Sequence, residues 1–466
     1  MLFSSISFLY YFIPTVVVFY FISPKGLKNT VLLISSLFFY AWGEPKYLIF
    51  MLIAIIQGYC FGLLIEKYHN DRWAKFFLTV SILISLGLLG YCKYADFFLT
   101  NFNAITGSSI PLLSIALPIG ISFYTFQILS YTIDVYRREV AAQKNIIHLA
   151  TYITMFPQLI AGPIVRYSDI AKQLEHRTHN FSNAAIGIRR FLIGLSKKVL
   201  IANVIGELAA ISKSPSEPSV LFVWMYAVAN VLQIYFDFSG YSDMAIGLGK
   251  LFGFQFLENF HYPYSSNSIT EFWRRWHISL GSWFRDYLYI PLGGSRVSKW
   301  KWIRNLMLVW MATGLWHGAA WNFVLWGLLF AILLIIEKQW LLKHLEKLKL
   351  LRHCYALLFI IVSFILFDAS SIAEAFSVIR AMFGAGNLPL ITVESSYYFK
   401  SYALLLVIST MGATPLPAKL FHLAQTNPIL ERIFNLLEPI CLVLLLAVNT
   451  AFLIDGSFNP FLYFRF

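Results

Sequence analysis

Residues 314–336 read GLWHGAAWNFVLWGLLFAILLII, and this stretch decides the fold class of the chain. Its second part is an apolar run of the length that a helix needs to cross the hydrocarbon core of a bilayer, about 20 residues. Similar runs recur along the chain: FLYYFIPTVVVFYFI, YLIFMLIAIIQGYCFGLLI, FFLTVSILISLGLLGYC, YALLLVIST and CLVLLLAVNTAFLI. The sequence therefore predicts an all-α polytopic membrane protein with about eleven transmembrane helices, in which the more polar stretches re-enter or lie buried in protein.

Composition and charge agree with a membrane location. Only 13% of the 466 residues are charged, against about a quarter in a soluble chain. Lysine and arginine collect between the apolar runs, at residues 24–28, 66–75, 136–144 and 338–353. Because basic loops stay in the cytoplasm, this bias places the N-terminus outside, and the net charge of +13 then also attracts anionic lipid. Basic residues scattered over separate loops argue against nucleic-acid binding.

The first apolar run and the four cysteines show no signs of processing, metal binding or disulfide formation. No small-residue cleavage site follows the first run, so we expect a retained helix and not a signal peptide. The four cysteines are far apart and show no metal-binding or disulfide spacing, so we expect small buried hydrophobes at Cys60, Cys92, Cys354 and Cys441. No internal repeat is visible, which weakens the case for a transporter built from inverted halves.

Polar residues concentrate between positions 235 and 322, where the chemistry is expected. YFDFSGYSDMAIGLGKLFGF, residues 235–254, places Asp237 and Asp243 in an apolar helical segment. Carboxylates at membrane depth are rare and face a protein interior or a wet cavity, so either a site or a structural polar network explains them. The glycines that follow allow close backbone approach.

The next segment, residues 258–296, mixes charged and aromatic side chains. NSITEFWRRW predicts a capped helix start, with Ser268 as N-cap and Glu271 three residues on. A single amphipathic helix is expected from there, interfacial or re-entrant, with snorkelling arginines. Its apolar face would carry Trp273, Trp276 and Leu280. PLGG predicts a turn.

Two histidines are the candidates for chemistry. Small residues surround His317, and Gly314 and Gly318 would let its helix approach a neighbour and leave the imidazole facing a cavity. An imidazole takes and returns a proton at physiological pH, and Asn322 offers a nearby amide. Structural hydrogen bonding across helices is the alternative for His317, and spacing alone favours a packing role for His277.

Three segments resemble the signatures of a known family: QIYFDFSGYSDMAIGLG, SITEFWRRWHISLGSWFRDYLYIPLGG and GLWHGAAWNFVLWG. They are similar to the membrane-bound O-acyltransferase family, and within it to the bacterial branch that O-acetylates alginate and peptidoglycan. The resemblance covers nearly the whole chain and is weakest at residues 339–435. It implies one transmembrane domain over residues 1–466, with a catalytic core at about 235–322 and a ring of about eleven helices with re-entrant helices around a central tunnel.

The resemblance also implies a location and site residues. The chain would lie in the bacterial inner membrane, and His317 would be the catalytic general base. His277 matches the family's second polar position and would orient groups or support an oxyanion. No metal and no bound cofactor is implied. The residues expected to bind substrate are Trp276, Trp316, Arg274, Arg275, Asp237 and Asn322. Trp321 is expected to exclude water together with Trp276 and Trp316. Arg285, like Arg274 and Arg275, is a candidate for binding phosphate, and lipid headgroups are the alternative partner of these arginines.

The expected reaction transfers an acetyl group from a cytoplasmic thioester, acetyl-CoA or an acyl carrier, for O-acetylation of a cell-envelope polysaccharide. The final acceptor would be an alginate-like exopolysaccharide or peptidoglycan, reached through a periplasmic acetyltransferase partner of the SGNH-hydrolase type. D-alanyl transfer to teichoic acid is the alternative within the family. A transporter, or a non-catalytic scaffold for a periplasmic acetylase, is the alternative from another class.

Overall fold

A computed structural model describes residues 1–160, 162–345 and 349–456, without the side chains at 345, 349 and 350. Position 161, part of the basic loop at 338–353 and the closing NPFLYFRF lie outside the described residues. Over the described part, every regular element is helical. The first helices are α1 (Ile13–Ile22), α2 (Lys28–Gly43), α3 (Leu48–Lys67), α4 (Arg72–Leu89), α5 (Ala95–Thr106), α6 (Ile121–Arg137), α7 (Ile146–Thr154), α8 (Phe156–Leu159), α9 (Tyr167–Glu175), α10 (Phe181–Ser196) and α11 (Val204–Lys213).

The remaining helices are α12 (Val220–Leu251), α13 (Ile269–Arg275), α14 (Ile278–Phe284), α15 (Lys299–His317), α16 (Trp321–Ile336), α17 (Leu342–Leu345), α18 (Lys349–Asp368), α19 (Ile372–Met382), α20 (Val393–Gly412), α21 (Leu416–Gln425) and α22 (Pro428–Asp455). Wider π-helical turns occur at Ser7–Phe12, Gly90–Tyr94, Lys197–Asn203, Arg285–Tyr289 and Glu337–Leu341. Short 3₁₀ turns occur at Lys25–Leu27, Pro45–Tyr47 and Pro263–Ser265.

Six helical segments in the described residues are long and apolar enough to cross a membrane: Pro45–Lys67, Arg72–Thr106, Val220–Leu251, Trp321–His344, Leu351–Asp368 and Pro428–Asp455. The pair α20 and α21, bent by 69°, makes a seventh if it is one span. The prediction of an all-α polytopic membrane protein is confirmed. The count of about eleven is not confirmed, because apolar runs such as Ser7–Ile22 form helices shorter than this criterion requires.

The described chain divides into two units. The first comprises Met1–Phe191 and Ser242–Leu257, and the second comprises Leu192–Tyr241 and Glu258–Phe466. In the first unit, the ring of Phe156 stacks edge-on against Phe12 with centroids 5.2 Å apart, within a buried phenylalanine cluster. The expected glycine contact of α12 is present here, since a Cβ on Gly247 would meet the carbonyl oxygen of Gly187 at 2.5 Å.

The second unit contains the candidate site, and an antiparallel hairpin of α15 and α16 is its central feature. The two backbones touch: a Cβ on Gly314 would collide with the carbonyl oxygen of Phe323, and one on Gly327 with that of Trp310. The close approach expected at Gly314 is therefore present. Gly318 lies in the connecting turn and not on the helix, with extended backbone and the Phe323 ring against its Cα.

The expectation that the cysteines are buried is confirmed only in part. Cys92 is buried in the protein, but Cys60, Cys354 and Cys441 are exposed on its surface. Their apolar neighbours along the helices are exposed as well, for example Ile56 at 55% and Leu444 at 59%. In a spanning helix such a surface faces lipid, so an apolar run does not by itself imply burial in protein.

Candidate functional site

The helix predicted after Ser268 begins as expected but ends earlier. Ser268 Oγ accepts a hydrogen bond from the Glu271 N–H at 3.0 Å, which confirms the N-cap. The Glu271 carboxylate reaches back to the N–H of Asn267, one residue before the cap, at 2.8 Å. The helix then stops at Arg275, so the single amphipathic helix predicted through Leu280 is wrong: α13 and α14 are two short helices with a break between them.

His277 forms this break. Its backbone has φ +44° and ψ +53°, a left-handed conformation that costs a residue with a Cβ about 1–3 kcal/mol. Hydrogen bonds to the segment at residues 259–261 compensate for this cost. The carbonyl oxygen of Asn259 accepts the N–H of Ile278 at 3.0 Å, and the His261 N–H donates to the Arg275 carbonyl at 2.9 Å. The first N–H groups of α14 therefore find partners outside the helix, which stabilises the break.

The start of α13 is held by a buried carboxylate, Glu337, which has no exposed surface. Its Oε1 accepts the Ile269 N–H at 2.6 Å, and its Oε2 accepts the N–H and the hydroxyl of Thr270 at 2.8 and 2.6 Å. A carboxylate beside unpaired N–H groups at a helix start is favourable. This contact ties α13 to the turn that follows α16.

The imidazole of His277 is buried, with 1% of the residue exposed. Its Nδ1 lies 3.1 Å from Asn259 Oδ1. Edge-on rings pack against it, with centroids 4.7 Å away for Phe238 and 6.0 Å for Trp316. His277 lies outside the candidate spans, and burial lowers its pKa to about 3, so the ring is neutral at physiological pH.

His317 is the last residue of α15 and is also buried, with 5% exposed. Rings surround its imidazole, with centroids 5.0 Å away for Trp316, 5.0 Å for Trp326 and 5.2 Å for Phe367. The ring of Trp316 thus packs against both histidines. The structure brings His277 and His317 to one aromatic cluster, although 40 residues separate them in the sequence.

The three tryptophans expected to exclude water differ in how far they are buried. Trp276 and Trp316 are buried, with 4% and 3% exposed. Trp276 packs among phenylalanines, with its ring centroid 5.1 Å from that of Phe260. Trp321, where α16 begins after the turn at Gly318, is 53% exposed and thus less enclosed than the other two. Its role in excluding water stays a prediction.

The arginines differ in their surroundings. Arg275 donates to the Glu271 carboxylate at 2.6 Å, and Arg285 donates to Asp286 at 2.6 Å. Arg274 is exposed, and no ion pair is recorded for it in the described part of the chain. A guanidinium already bound to a carboxylate has fewer donors for a phosphate, so Arg274 is the best placed of the three to bind an anion.

Asp237 and Asn322 have protein partners. Asp237 Oδ1 lies 2.5 Å from Lys198 Nζ, and the two side chains are 1% and 5% exposed. The Asn322 amide donates to the carbonyl of Ala369 at 2.9 Å, joining α16 to the end of α18. In the first unit, Arg190 pairs with Asp243 at 2.8 Å. Asp237 and Asp243 thus both form ion pairs within the protein, as expected for a structural polar network, one of the two explanations that the sequence left open.

Sequence reasoning missed Asn259, Lys198 and Glu337. A signal existed for two of them, because Lys198 and Glu337 are charges placed inside or at the end of apolar runs, LSKKVLIAN and FAILLIIEK. Such charges at membrane depth normally have a partner in the protein. Nothing in the sequence around Asn259 distinguishes it from the other asparagines of the chain.

Several known proteins are similar to this chain in sequence. The sequence profile of the membrane-bound O-acyltransferase family matches residues 137–378. The chain is 38% identical to a probable alginate O-acetylase of Azotobacter vinelandii over 100% of both chains. It is 33% identical to a peptidoglycan O-acetyltransferase of Helicobacter pylori, over 100% of this chain and 98% of that protein. A teichoic acid D-alanyltransferase of Bacillus subtilis is 29% identical over 55% of this chain and 73% of its own length.

Proposed function

The chain belongs to the membrane-bound O-acyltransferase family and is an acyltransferase, and from this premise we propose that it transfers acetyl groups for O-acetylation of a cell-envelope polysaccharide. The acetyl group would come from a thioester on the cytoplasmic side and pass across the inner membrane. The observation that carries this proposal is the pair of buried imidazoles, His277 and His317, packed against the ring of Trp316.

In this proposal His317 is the general base. It takes the proton of an attacking hydroxyl while the oxygen forms a bond to the thioester carbonyl carbon. The C–S bond then breaks, and the thiolate leaves with the proton that His317 returns. Aromatic rings at about 5 Å on several sides keep water from competing with the hydroxyl.

Acetyl-CoA is the proposed donor, with an acyl-carrier thioester as the other form of the same chemistry. Both carry phosphate on the arm that holds the thioester, and a guanidinium binds phosphate through paired N–H donors. Arg274, exposed at the end of α13, supports this assignment. Trp276 would line the path of the acyl arm.

The proposed acceptor is an alginate-like exopolysaccharide or peptidoglycan, because the relatives that match along the whole chain are named for these polymers. A periplasmic partner of the SGNH-hydrolase type would pass the acetyl group on to the polymer. D-alanyl transfer to teichoic acid has weaker support, since that relative matches 55% of the chain at 29% identity.

The proposed membrane arrangement has about eleven spans in a ring around a central tunnel, with the N-terminus on the periplasmic side. Helices α13 and α14 have seven residues each, about 10 Å of helix, and are too short to cross a bilayer. This length supports re-entrant segments at the catalytic core.

Replacing His317 with glutamine tests the proposal. The amide keeps a hydrogen-bonding group but cannot take a proton at neutral pH, so acetylation should fall by roughly 10²–10⁴-fold, the usual contribution of a general base. The measurement is the O-acetyl content of the cell-surface polymer in a deletion strain that expresses each variant, with protein levels checked by immunoblot.

His422→Gln is the matched control, because His422 is exposed on α21. It should support normal acetylation. Wild-type acetylation with His317→Gln at normal protein level would mean that His317 has a structural role. It would then favour the alternative in which the chain is a non-catalytic scaffold for a periplasmic acetylase.

A further inference from the structure

The side-chain oxygen of Asn259 accepts three hydrogen bonds. The Ser279 N–H donates to Oδ1 at 3.2 Å, the Ser279 hydroxyl at 2.9 Å, and the ring nitrogen Nδ1 of His277 lies 3.1 Å away. A backbone N–H can only donate, so the amide atom at this position must be the oxygen. That oxygen has no hydrogen to give. The proton in the contact with His277 therefore lies on Nδ1.

This proton position fixes the tautomer of the ring. A neutral imidazole has one N–H, and if Nδ1 carries it, Nε2 carries a lone pair and can only accept. Burial keeps the ring neutral by lowering the pKa of His277 to about 3. Nε2 is buried and has no hydrogen-bond partner in the part of the chain that the structure describes. A buried acceptor without a partner is costly unless a ligand group fills the position.

We propose that Asn259 is a positioning residue for acetyl transfer, which holds His277 in the Nδ1–H tautomer so that Nε2 accepts a hydrogen bond from a substrate hydroxyl. This inference rests on the proposed function. It also changes the role expected for His277: an oxyanion requires a donor, and Nε2 of this tautomer offers none. A hydroxyl has a single hydrogen, so His277 orients the substrate through a hydroxyl other than the attacking one, from which His317 removes the proton.

The backbone supports the same conclusion. The left-handed conformation of His277 and the two bonds that Asn259 makes to the first N–H groups of α14 hold the imidazole at the break between the helices. Strained residues that the surroundings hold in place occur preferentially at functional sites. A residue needed only for packing would not require a break in the helix at this position.

Three variants distinguish a positioning role of Asn259 from a purely structural one. Asn259→Leu is similar in size and removes the acceptor, whereas Asn259→Asp keeps an acceptor oxygen for His277 and Ser279. Ser279→Ala removes one donor to the same oxygen and keeps both its backbone bond and the bond to His277. Each is expressed in a deletion strain, and inverted membrane vesicles that enclose the polymer and the periplasmic partner receive radiolabelled acetyl-CoA. The kcat and KM for label transfer to the polymer are measured per molecule of protein.

Asn259→Leu should lower kcat by roughly 10²-fold or more with little change in KM, because in the wrong tautomer Nε2 carries a hydrogen and cannot accept the hydrogen bond that orients the substrate for reaction. Asn259→Asp should restore most of the activity, and Ser279→Ala should stay close to wild type. A purely structural role for Asn259 predicts equal kcat per folded molecule in all three variants, and that result would overturn the inference.

Nitrogen NMR of protein with isotope-labelled histidine gives an independent readout. The His277 signals, identified by their loss in His277→Asn, should show a protonated Nδ1 and a bare Nε2, and Asn259→Leu should change this pattern. A protonated Nε2 in the wild type would overturn the inference. If wild-type vesicles transfer no label, the proposed function fails, whereas the spectrum still decides whether Asn259 sets the tautomer. If Asn259→Leu does not accumulate, the wild-type spectrum and the kcat of Asn259→Asp decide instead.

Discussion

Lys198 and Asp237 form a buried ion pair, in which each charge offsets part of the free energy needed to bury the other. The Nζ and Oδ1 atoms are 2.5 Å apart, and both side chains are almost fully buried. Removing a buried charge from water costs several kcal/mol, which the partner offsets only at close range. Loss of one partner removes this ion pair from the other buried charge, whereas replacing both with apolar side chains of similar size is often neutral. The pair can therefore be tested without assuming any role in substrate binding.

We expect Lys198→Met to destabilise the protein by about 3–5 kcal/mol, and the double variant Lys198→Met with Asp237→Leu to recover most of that loss. The measurement is the apparent unfolding temperature of purified protein in detergent. A double variant as unstable as the single one would contradict the ion-pair account. Acetylation by a stable double variant then decides the role of Asp237: lost activity supports the predicted substrate contact, and retained activity assigns Asp237 to structure.

At the scale of elements, α13 is a seven-residue helix whose position depends on another element. A helix this short has little stability of its own in water or protein. Ser268 satisfies one N–H of its first turn, and Glu337 satisfies those of Ile269 and Thr270. Arg274 at its end and His277 just beyond it are placed by these contacts, so the cap has consequences for the site.

Glu337→Gln tests this contact. A glutamine has one acceptor oxygen, and its NH₂ group would face an N–H or hydroxyl donor of the first turn of α13. Leaving a buried donor unsatisfied costs about 1–3 kcal/mol, so the apparent unfolding temperature should fall. Glu431→Gln is the control, since Glu431 is exposed on α22. Equal unfolding temperatures for the two variants would show that the Glu337 carboxylate does not stabilise α13.

At the scale of the whole molecule, the distribution of charge predicts the orientation in the membrane. Lysine and arginine collect at residues 24–28, 66–75, 136–144 and 338–353, and a bilayer holds such basic loops on the cytoplasmic side. The N-terminus then lies outside, and the loop at 338–353 lies in the cytoplasm. Orientation also matters for the proposed reaction, in which a cytoplasmic thioester would reach His317 from one side and the hydroxyl from the other.

Single cysteines at Ser4 and Lys343 test the orientation. The four native cysteines must first be replaced, because Cys60, Cys354 and Cys441 are exposed and would react as well. An impermeant maleimide should label Ser4→Cys in spheroplasts and Lys343→Cys only after the membrane is opened. Labelling of position 343 in intact spheroplasts would reverse the proposed topology.

The sequence by itself determined the fold class and several local features. Long apolar runs predict spanning helices because a bilayer leaves backbone groups no other partner. The N-cap at Ser268 was predictable because a cap acts within one helical turn, and so was the turn at Gly293 and Gly294, whose φ values of +97° and +55° favour glycine. The resemblance carried by these segments also led to the family, and through it to the two histidines.

Only the tertiary structure decided the features that depend on residues distant in the sequence. Periodicity predicted one helix through Leu280, but Asn259, 18 positions before His277, supplies hydrogen bonds that make a break more favourable than a continuous helix. The sequence left open whether Asp237 belongs to a site or to a structural polar network, and its ion pair with the distant Lys198 is known only from the structure. Hydropathy and capping act over a few residues, whereas these outcomes were set by contacts that form only when distant segments pack together.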